Sequence, residues 1–572
     1  MVLQGKSAAP GAAVGGIYVY NEKFSIPAEG LVDAGLEQSQ LDRYLLIKKH
    51  ALNELEGIKQ SVRKIDPAKA QIFDAQKEIV EDIIINEEIP ARILNERWTG
   101  DWAIYQVYET VLNVLRKTAD PLIADRAADF DDVRALLLKL WYGQNTRGLG
   151  ELKEPVIIAA HDLKPSDTAG LDRSKVLAIL TETGGITSHT AIIAKSYGIP
   201  AVLGIEGLLN HVKQGQLAAV NAEDGTVILD PEEDVVSRLR EKSGIFSREK
   251  QDAQLFRDME ARTSCGIRID IGLNISNSGK EELSAQNYTD SVGLFRTEFL
   301  FMGQNTLPSE EYQFAAYKKV LECYGVKPVF LRTLDIGGDK QISGIEMKRE
   351  ENPFLGNRGI RFCFSEPDIF KTQCRAALRA SIFGNLRLML PMVSSVDDIR
   401  KAKDIINKIK IQLKEENFKI GEIKIGIMVE VPSIALVADV AAKEVDFASI
   451  GSNDLCQYLC AADRMNGAVD PYYNQYHPAM FRLIKDVVAA FNAEGKPVSL
   501  CGELGSDIKA VPLLVGLGLR KFSMGAASVA DVKRTIAGVS AAECEELAEK
   551  ILAASSVEET KKLLGIMSNN SH

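Results

Sequence analysis

Residues 424–454 read KIGIMVEVPSIALVADVAAKEVDFASIGSND, an apolar run followed by a helical pattern and a second apolar run. The same alternation recurs from about residue 264 onward. The apolar runs are GIRIDIGLNI, SVGLFRTEFLF, PVFLRTLDIGG, NLRLMLPMVSS, KIGIMVEVP, DFASIGSND, PVSLCGEL and KFSMG. Eight strands that alternate with helices predict a closed (β/α)8 barrel.

Polar side chains stand at the points where these predicted strands end. They are Arg296 and Glu298, Arg332 and Asp335, Glu430, Asn453 and Asp454, and Cys501 and Glu503. In (β/α)8 barrels the chemistry takes place at the C-terminal ends of the strands. These side chains are therefore predicted to share one site.

The chain before the barrel has a different pattern. Residues 8–20 and 154–231 contain short apolar runs typical of strands, whereas residues 30–143 have apolar stripes at helical spacing. The first two stripes contain Leu41, Leu45, Leu52 and Leu55, then Ile72, Phe73, Ile79, Val80 and Ile83. We predict an α/β domain (1–22 and 146–231), an inserted helical bundle (23–145), a charged linker helix (232–263) and the barrel domain (264–572).

Composition limits the class of protein. The 572 residues are 46% hydrophobic and 26% charged, with a net charge of −11, which argues against a general nucleic-acid binder. No apolar run approaches the roughly 20 residues that span a bilayer, and residues 1–16 lack the apolar core of a signal peptide. The eight cysteines form no CxxC pair and indicate reduced thiols. A cytoplasmic protein without membrane insertion is expected.

A second candidate site lies in GGITSHTAIIAKSYGIPAVLG, residues 184–204. The glycines allow a tight turn, and His189 stands near the start of a predicted helix, whose N–H groups and dipole favour a phosphoryl group. Uncharged histidine is a nucleophile at neutral pH. Taken alone, such a histidine is more often a capping or core residue. The whole segment, however, resembles the phosphohistidine signature shared by Enzyme I, pyruvate phosphate dikinase and phosphoenolpyruvate synthase. That resemblance implies that His189 carries phosphate and that Thr168, in KPSDTAG, supports its ring.

The barrel segments resemble the phosphoenolpyruvate-binding barrel of Enzyme I, through GLFRTEFLFM, EEYQFAAYK, RTLDIGGDK, ENPFLGNRGIR, GIMVEVPS and IGSNDL. Singly, each polar residue has an ordinary interpretation as a surface, capping or packing residue. The resemblance implies roles for the set. Arg296, Arg332 and Arg464 hold the phosphate, Arg358 holds the carboxylate, Glu430 and Asp454 bind Mg²⁺, Asn453 orients the ligand, and Cys501 protonates the enolate to give pyruvate.

The layout distinguishes Enzyme I from its relatives. The dikinase and the synthase carry a large nucleotide-binding domain, for which this chain has no room, and a GxxxxGK[ST] motif is missing from the sequence. A helical bundle inserted into the phosphohistidine domain is the Enzyme I layout, in which it docks the carrier protein HPr. The resemblance therefore implies a phosphoenolpyruvate-protein phosphotransferase that acts as a homodimer through its barrel. Two alternatives remain open: a regulatory paralogue that binds without turnover, and an ATP-using enzyme that makes phosphoenolpyruvate from pyruvate.

Two places depart from the family pattern. Gln76 stands where the family commonly has a histidine, and Ile83 where it commonly has an acidic residue, on the helices expected to dock the carrier. This indicates either drift in a tolerant surface or a carrier with an altered face. Cys456 and Cys460, in DLCQYLCAADR, are one helical turn apart. They are interpreted as packing residues, with a redox-sensitive pair as the alternative.

Overall fold

The computed structural model describes residues 1–20, 26–63, 72–117, 121–143, 149, 152, 154–163, 167, 171–184, 189–301, 306–337, 350–469 and 471–566. At a few positions inside these ranges, His189 among them, only the backbone is described. The chain forms two compact units, Met1–Phe246 and Ser247–His572. Of the helices in the described ranges, none is long and apolar enough to cross a membrane.

The first unit contains a mixed sheet of eight strands. They are β1 (Val2–Gln4), β2 (Lys6–Ala9), β3 (Ala12–Tyr20), β4 (Val156–Ala160), β5 (Val176–Thr181), β6 (Ala201–Leu203), β7 (Leu217–Asn221) and β8 (Thr226–Leu229). Their order is β1-β8-β7-β3-β4-β5-β6-β2. The strands from β3 to β6 are parallel, and the other pairs are antiparallel. The N-terminal strands thus complete a sheet whose other members follow residue 155.

Strand β4 shows why the centre of this sheet is apolar throughout. Its five residues are all buried, as expected for a parallel strand covered on both faces. Ile157 and Ala159 belong to one core cluster, whereas Ile158 and Ala160 belong to the other, which follows from the two-residue period of a strand. Helix α6 (His189–Tyr197), which begins at the predicted phosphohistidine, contributes Ala191 and Ala194 to the second cluster. The short helix α7 (Leu208–His211) follows β6.

Five helices stand between β3 and β4 in the chain. They are α1 (Glu37–Arg63), α2 (Ile72–Val80), α3 (Ile83–Glu96), α4 (Gly100–Lys117) and α5 (Pro121–Trp141), and they share one apolar core. The carboxylate of Asp82 caps α3, because it accepts hydrogen bonds from the backbone N–H groups of Ile84 and Ile85 at 2.9 and 3.2 Å. The predicted helical insertion into an α/β domain is confirmed as a fold.

Two assignments to the helical core are wrong. Leu45 is 50% exposed, because the buried stripe of α1 runs through Tyr44, Ile47, Ala51 and Leu55 instead. Ile83 is 73% exposed, because the chain turns at Asp82 and Ile83 begins a new helix rather than continuing the stripe of α2. Gln76, assigned to a docking helix, is only 3% exposed and packs inside the bundle.

The charged stretch after β8 forms helix α8 (Glu233–Phe256). The helix ends at Phe256, some residues before the first barrel strand. Between the two, Arg262 and Arg268 form an isolated antiparallel β-bridge. The predicted linker range, 232–263, is therefore helical only as far as Phe256. The domain boundaries given above stay a prediction.

The second unit is a closed barrel of eight parallel strands, so the predicted (β/α)8 fold is confirmed. The strands are β9 (Asp270–Ile275), β10 (Ser291–Arg296), β11 (Pro328–Arg332), β12 (Asn385–Leu390), β13 (Lys424–Val429), β14 (Ala448–Gly451), β15 (Val498–Cys501) and β16 (Lys521–Met524). Strand β16 pairs with β9 and closes the ring. Each of the eight predicted apolar runs contains one of these strands.

Helices follow the strands on the outside of the barrel. They are α9 (Lys280–Leu283), α10 (Glu310–Tyr324), α11 (Ile360–Ser365), α12 (Pro367–Ala380), α13 (Val396–Glu415), α14 (Pro432–Leu436), α15 (Ala438–Glu444), α16 (Ser452–Cys460), α17 (Pro478–Ala493), α18 (Val511–Gly516), α19 (Val529–Ala537), α20 (Ala541–Ala553) and α21 (Val557–Leu563). Ser395 and Asp398 form a capping box at the start of α13, which fixes where this helix begins.

Side chains from the successive strands β10 to β15, with Phe447 directly before β14, form a separate cluster, here called the inner plug. It consists of Leu294, Phe330, Met389, Met428, Phe447 and Cys501. The rings of Phe330 and Phe447 meet edge to face, with centroids 4.8 Å apart. The cluster includes Cys501, one of the predicted site residues, so the polar site has an apolar layer as a neighbour.

Candidate active site at the barrel mouth

A cavity of about 410 Å³ lies at the C-terminal ends of the barrel strands. It brings together every site residue that the sequence assigned to the barrel. These are Arg296, Arg332, Arg358, Glu430, Asn453, Asp454, Arg464 and Cys501. Glu298 and Asp335, which the sequence placed at strand ends without a role, also line it.

Arg332 ends β11 and is fixed by two carboxylates. Its guanidinium donates to Glu298 from Nη2, and its Nη1 lies 3.0 Å from the Asp335 carboxylate. Its Nη1 also approaches the sulfur of Met428 at 3.7 Å. The side chain is almost fully buried, so these contacts hold a cation in one orientation at the floor of the cavity.

Arg358 follows the short helical turn Pro353–Leu355, and its side chain is buried more completely than that of Arg332. Its Nε and Nη2 each donate to one oxygen of Asp335 at 3.0 Å, a forked pair. Its Nη1 donates to Asp454 at 2.8 Å. Burial works against the charge, but Asp335 and Asp454 raise the pKa of this guanidinium above its ordinary value. Asp335 thus connects Arg332 and Arg358.

The backbone beside Arg358 needs a glycine. Gly337 has φ +110°, and a Cβ there would stand 2.6 Å from the carbonyl oxygen of Asn357 and 2.8 Å from Cα of Arg358. A side chain at this position would therefore push Arg358 out of place, besides straining its own backbone.

Helix α16 begins directly after β14 and carries two predicted residues in its first turn. The side-chain oxygen of Asn453 accepts hydrogen bonds from the backbone N–H of Glu503 at 3.2 Å and from Gln475 at 3.3 Å. Asp454 lies 3.6 Å from Nη1 of Arg464 as well as contacting Arg358. Asn453 is thereby oriented, and Asp454 lies between two guanidinium groups.

Glu430 follows β13 and is fully buried. One carboxylate oxygen accepts a 2.6 Å hydrogen bond from the backbone N–H of Met392. The other oxygen has no hydrogen-bond partner among the described residues. Burial, with the charges of Asp454 and Asp335, raises the pKa of Glu430 to about 7. A buried carboxylate with a spare oxygen beside a second carboxylate favours a cation between them.

Glu430 and Asp454 are the two carboxylates of the cavity that could bind a metal ion. Within the described residues no group of three or more His, Cys, Asp or Glu side chains could hold a metal ion. Magnesium, however, is usually bound by one or two carboxylates together with substrate phosphate and water. Glu430 and Asp454 line the same cavity, and Glu430 has an oxygen to spare. The residues therefore fit a magnesium ion that completes its shell with oxygens of the substrate.

Cys501 ends β15 and faces both the cavity and the inner plug. Its sulfur accepts from the Ser449 hydroxyl at 3.4 Å and donates to the carbonyl of Ile450 at 3.6 Å. Burial raises the pKa of the thiol, an effect that Ser449 partly offsets. The thiol is therefore held in its protonated form at neutral pH, as a proton donor must be.

The predicted residues of the first unit are described less fully. Helix α6 begins at His189, as expected, and a helix N-terminus favours a bound phosphoryl group. The hydroxyl of the next residue, Thr190, donates to the carbonyl of Leu163 at 3.2 Å. Thr168 and the turn before His189 lie outside the described residues. Their predicted roles stay predictions.

Sequence reasoning placed Asp335 at a strand end without giving it a role, and it missed two further contributors, Phe354 and Tyr458. Asp335 follows Arg332 by three residues, a spacing that could have indicated a pair. Phe354 and Tyr458, which contact Arg358, carry no such signal, because an aromatic residue in a turn or helix is usually a packing residue. All eight cysteines are free thiols in the structure.

The barrel mouth combines guanidinium groups, two neighbouring carboxylates and a protonated thiol, which suits a small substrate with more than one anionic group. Three protein-family models match this chain. The PEP-utilising enzyme, PEP-binding domain, covers residues 250–541, the mobile domain residues 152–225, and the N-terminal domain residues 4–126. The fold and the site therefore define a PEP-utilising enzyme.

Similar proteins narrow the class. The chain is 38% identical to a phosphoenolpyruvate-protein phosphotransferase of Staphylococcus carnosus (strain TM300), over 98% of each chain. It is 40% identical to the protein of the same name from Priestia megaterium, over 97% of each chain. A solution structure of an Enzyme I protein covers 43% of this chain and 99% of its own, with 32% identity and a TM-score of 0.39. The chain belongs to the phosphoenolpyruvate-protein phosphotransferase family, Enzyme I, which confirms the resemblance seen in the sequence.

Proposed function

We propose that this enzyme transfers phosphate from phosphoenolpyruvate to His189 and then to a histidine of the carrier protein HPr, releasing pyruvate. This is the first step of sugar uptake by the phosphotransferase system, and we place it in the cytoplasm. One observation carries the proposal: the barrel mouth gathers fixed arginines around two carboxylates, and one oxygen of Glu430 has no hydrogen-bond partner among the described residues.

The arginines suit the two anionic groups of phosphoenolpyruvate. Arg296, Arg332 and Arg464 are proposed to hold the phosphate, and Arg358 the carboxylate, because the N–H groups of a guanidinium bind oxyanions. Asn453 orients the ligand. Because buried carboxylates already fix Arg332 and Arg358, little rearrangement is needed when the substrate binds.

Glu430 and Asp454 are the residues that would hold Mg²⁺. When bound, the ion would act as a Lewis acid, neutralising charge on the phosphate and on the developing enolate oxygen. Glu430 contributes one free oxygen, while its other oxygen stays bound to the backbone of Met392. That backbone contact fixes the direction in which the free oxygen points.

The proposed reaction moves one phosphoryl group and one proton. The ring nitrogen of His189 attacks phosphorus, and the bond from phosphorus to the enol oxygen breaks, leaving the enolate of pyruvate. The Cys501 thiol gives its proton to the terminal carbon of the enolate, which yields pyruvate and a thiolate. The apolar neighbours of Cys501 support this role, since they keep the thiol protonated until the enolate forms.

His189 must then present its phosphate to the carrier. We propose that residues 1–22 and 146–231 move as the phosphohistidine domain, with the linker 232–263, which is helical as far as Phe256, as the hinge. Residues 23–145 dock HPr, and the barrel, residues 264–572, forms the homodimer. Exposed Ile83 and Ile84 suit the docking face, whereas Gln76 is buried and acts on that face only through packing.

The test is phosphorylation of the purified protein by phosphoenolpyruvate, followed by intact-mass spectrometry with and without Mg²⁺. His189→Ala removes the proposed nucleophile, and His50→Ala, at an exposed position of α1, is the matched control. One acid-labile phosphate per chain, present in the control and absent in His189→Ala, is expected. No phosphate on folded wild type would overturn the proposal in favour of a binding paralogue. Phosphorylation only with ATP would instead indicate the nucleotide-using relative.

A further inference from the structure

Arg358 has almost no free hydrogen-bonding capacity. A guanidinium has five N–H donors, and four of those of Arg358 are already used inside the protein. Two go to Asp335 and one to Asp454. The fourth goes to the hydroxyl of Tyr458, at 3.2 Å from Nη1. The single N–H that remains is on Nη2, so the direction in which Arg358 can reach a substrate is set by its four internal contacts.

Tyr458 connects two separate parts of the barrel mouth. Its hydroxyl accepts from Arg358 and donates to the backbone carbonyl of Phe354 at 2.6 Å. Tyr458 belongs to α16, the helix that carries Asn453 and Asp454 in its first turn, whereas Phe354 belongs to the turn Pro353–Leu355. One hydroxyl therefore ties the helix to the turn that precedes Arg358.

The ring of Phe354 is a neighbour of two site arginines. The guanidinium carbon of Arg358 is 5.8 Å from the ring centroid, and that of Arg464 is 6.0 Å from it. These distances lie within the range of cation–π attraction. Arg464 is further held on the α16 side, since its backbone N–H donates to Gln457 at 3.1 Å. Asp454, Gln457 and Tyr458 follow i, i+3, i+4 spacing and therefore lie on one face of α16. This face contacts both Arg358 and Arg464.

We propose that Tyr458 and Phe354 are positioning residues for phosphoenolpyruvate, which set Arg358 and Arg464 without touching the substrate themselves. The inference rests on the proposed function and deepens it. Tyr458 acts on the carboxylate half of the substrate through Arg358. Phe354 acts on both halves, because its ring faces the arginines assigned to the carboxylate and to the phosphate.

The test compares Tyr458→Phe, which removes only the hydroxyl, with Tyr472→Phe, an exposed tyrosine of the same barrel. Losing a hydrogen bond to a charged group should raise KM for phosphoenolpyruvate about tenfold in Tyr458→Phe, with kcat within about twofold. Tyr472→Phe should match the wild type. Inhibition constants separate the two halves of the site: pyruvate reports on the carboxylate and inorganic phosphate on the phosphate. Tyr458→Phe should weaken inhibition by pyruvate alone.

Variants of Phe354 supply the second arm. Phe354→Leu should weaken inhibition by both pyruvate and phosphate. Phe354→Tyr, which keeps the ring, should have inhibition constants equal to those of the wild type for both compounds. In a double-mutant cycle, Tyr458→Phe should add little to Arg358→Lys, because the hydroxyl acts through that guanidinium.

Melting temperatures within about 2 °C of wild type show that the variants are folded. Equal KM values for wild type and Tyr458→Phe, or fully additive effects in the cycle, would overturn the positioning role while leaving the proposed function intact. A wild type that takes no phosphate from phosphoenolpyruvate would instead overturn both. If Tyr458→Phe does not fold, the Phe354 pair decides, and equal inhibition constants in Phe354→Leu and wild type would refute the inference.

Discussion

Replacing Asp335 by Asn should damage the site and the barrel together. The Asp335 carboxylate is buried and accepts from Arg358 through both oxygens at 3.0 Å, while Arg332 lies 3.0 Å from one of them. Asn keeps the shape of the side chain but removes its charge. Its NH2 group would also face arginine N–H donors, from which it cannot accept a hydrogen bond. Removing one member of a buried ion pair costs about 3–5 kcal/mol. Glu298 and Asp454 still contact the two arginines, so we expect the lower end, about 3 kcal/mol.

The assay is thermal unfolding, measured by calorimetry. At roughly 2 °C per kcal/mol for a unit of this size, the barrel transition should fall by about 6 °C. KM for phosphoenolpyruvate should rise in the same variant, because both arginines lose orientation. Asp486→Asn, at an exposed position of α17, is the matched control and should melt like the wild type. A barrel transition within about 1 °C of wild type in Asp335→Asn would refute the reasoning that this carboxylate holds the two arginines.

Three further predictions follow from individual contacts. A hydrogen bond from Cys456 lowers the pKa of Cys460 to about 7, so alkylation of Cys460, measured by peptide mass spectrometry, should have its midpoint near pH 7. Cys456→Ala, which removes the donor, should move that midpoint upward, and an unchanged midpoint would contradict the assignment. Gly337→Ala should raise KM for phosphoenolpyruvate at least fivefold, which corresponds to roughly 1 kcal/mol, because the added Cβ would displace Arg358. A KM equal to that of the wild type would show that the backbone around residue 337 adapts to the methyl group. Lys533→Met should lower the melting temperature by about 6 °C, because three backbone carbonyls lose the ammonium group that donates to each of them at 2.8 Å. A melting curve equal to that of the wild type would show that these three hydrogen bonds do not stabilise the barrel.

The barrel was predictable because its strands are buried on both sides. Such strands appear in the sequence as short continuous apolar runs, and polar residues mark the ends of five of these runs at the mouth. Glu430 after β13 and Cys501 at the end of β15 are examples, and both line the cavity. The site was predictable for the same reason, since one barrel mouth collects the ends of all the strands.

The helical bundle was harder to assign in detail. Residues 44–47 read YLLI, which is apolar on every side, so the period of the sequence could not decide which of these residues face the core. The structure buries Tyr44 and Ile47 and exposes Leu45. Similarly, the capping role of Asp82 ends a stripe that apolar spacing alone would continue to Ile83.

The contacts that orient the site lie beyond the reach of sequence patterns. The number of donors that Arg358 has left depends on how the turn Pro353–Leu355 packs against α16. Residues 354 and 458 are about a hundred positions apart, and neither belongs to a periodic pattern. Long-range contacts of this kind are set by three-dimensional packing, so only the structure shows that two aromatic residues accompany the arginines.

The inner plug has a consequence for the direction of proton transfer. Cys501 has apolar side chains such as Phe330 and Met428 in its own cluster, and its sulfur also faces the cavity. In the proposed mechanism the proton of Cys501 would therefore reach the flat enolate from one side only, the side on which the sulfur faces the cavity. Turnover of phosphoenolpyruvate that carries one deuterium at its terminal carbon in a defined E or Z geometry, in tritiated water, should accordingly give pyruvate whose methyl group has a single handedness. In that mechanism the thiolate left behind would regain its proton through the open mouth, after pyruvate has departed.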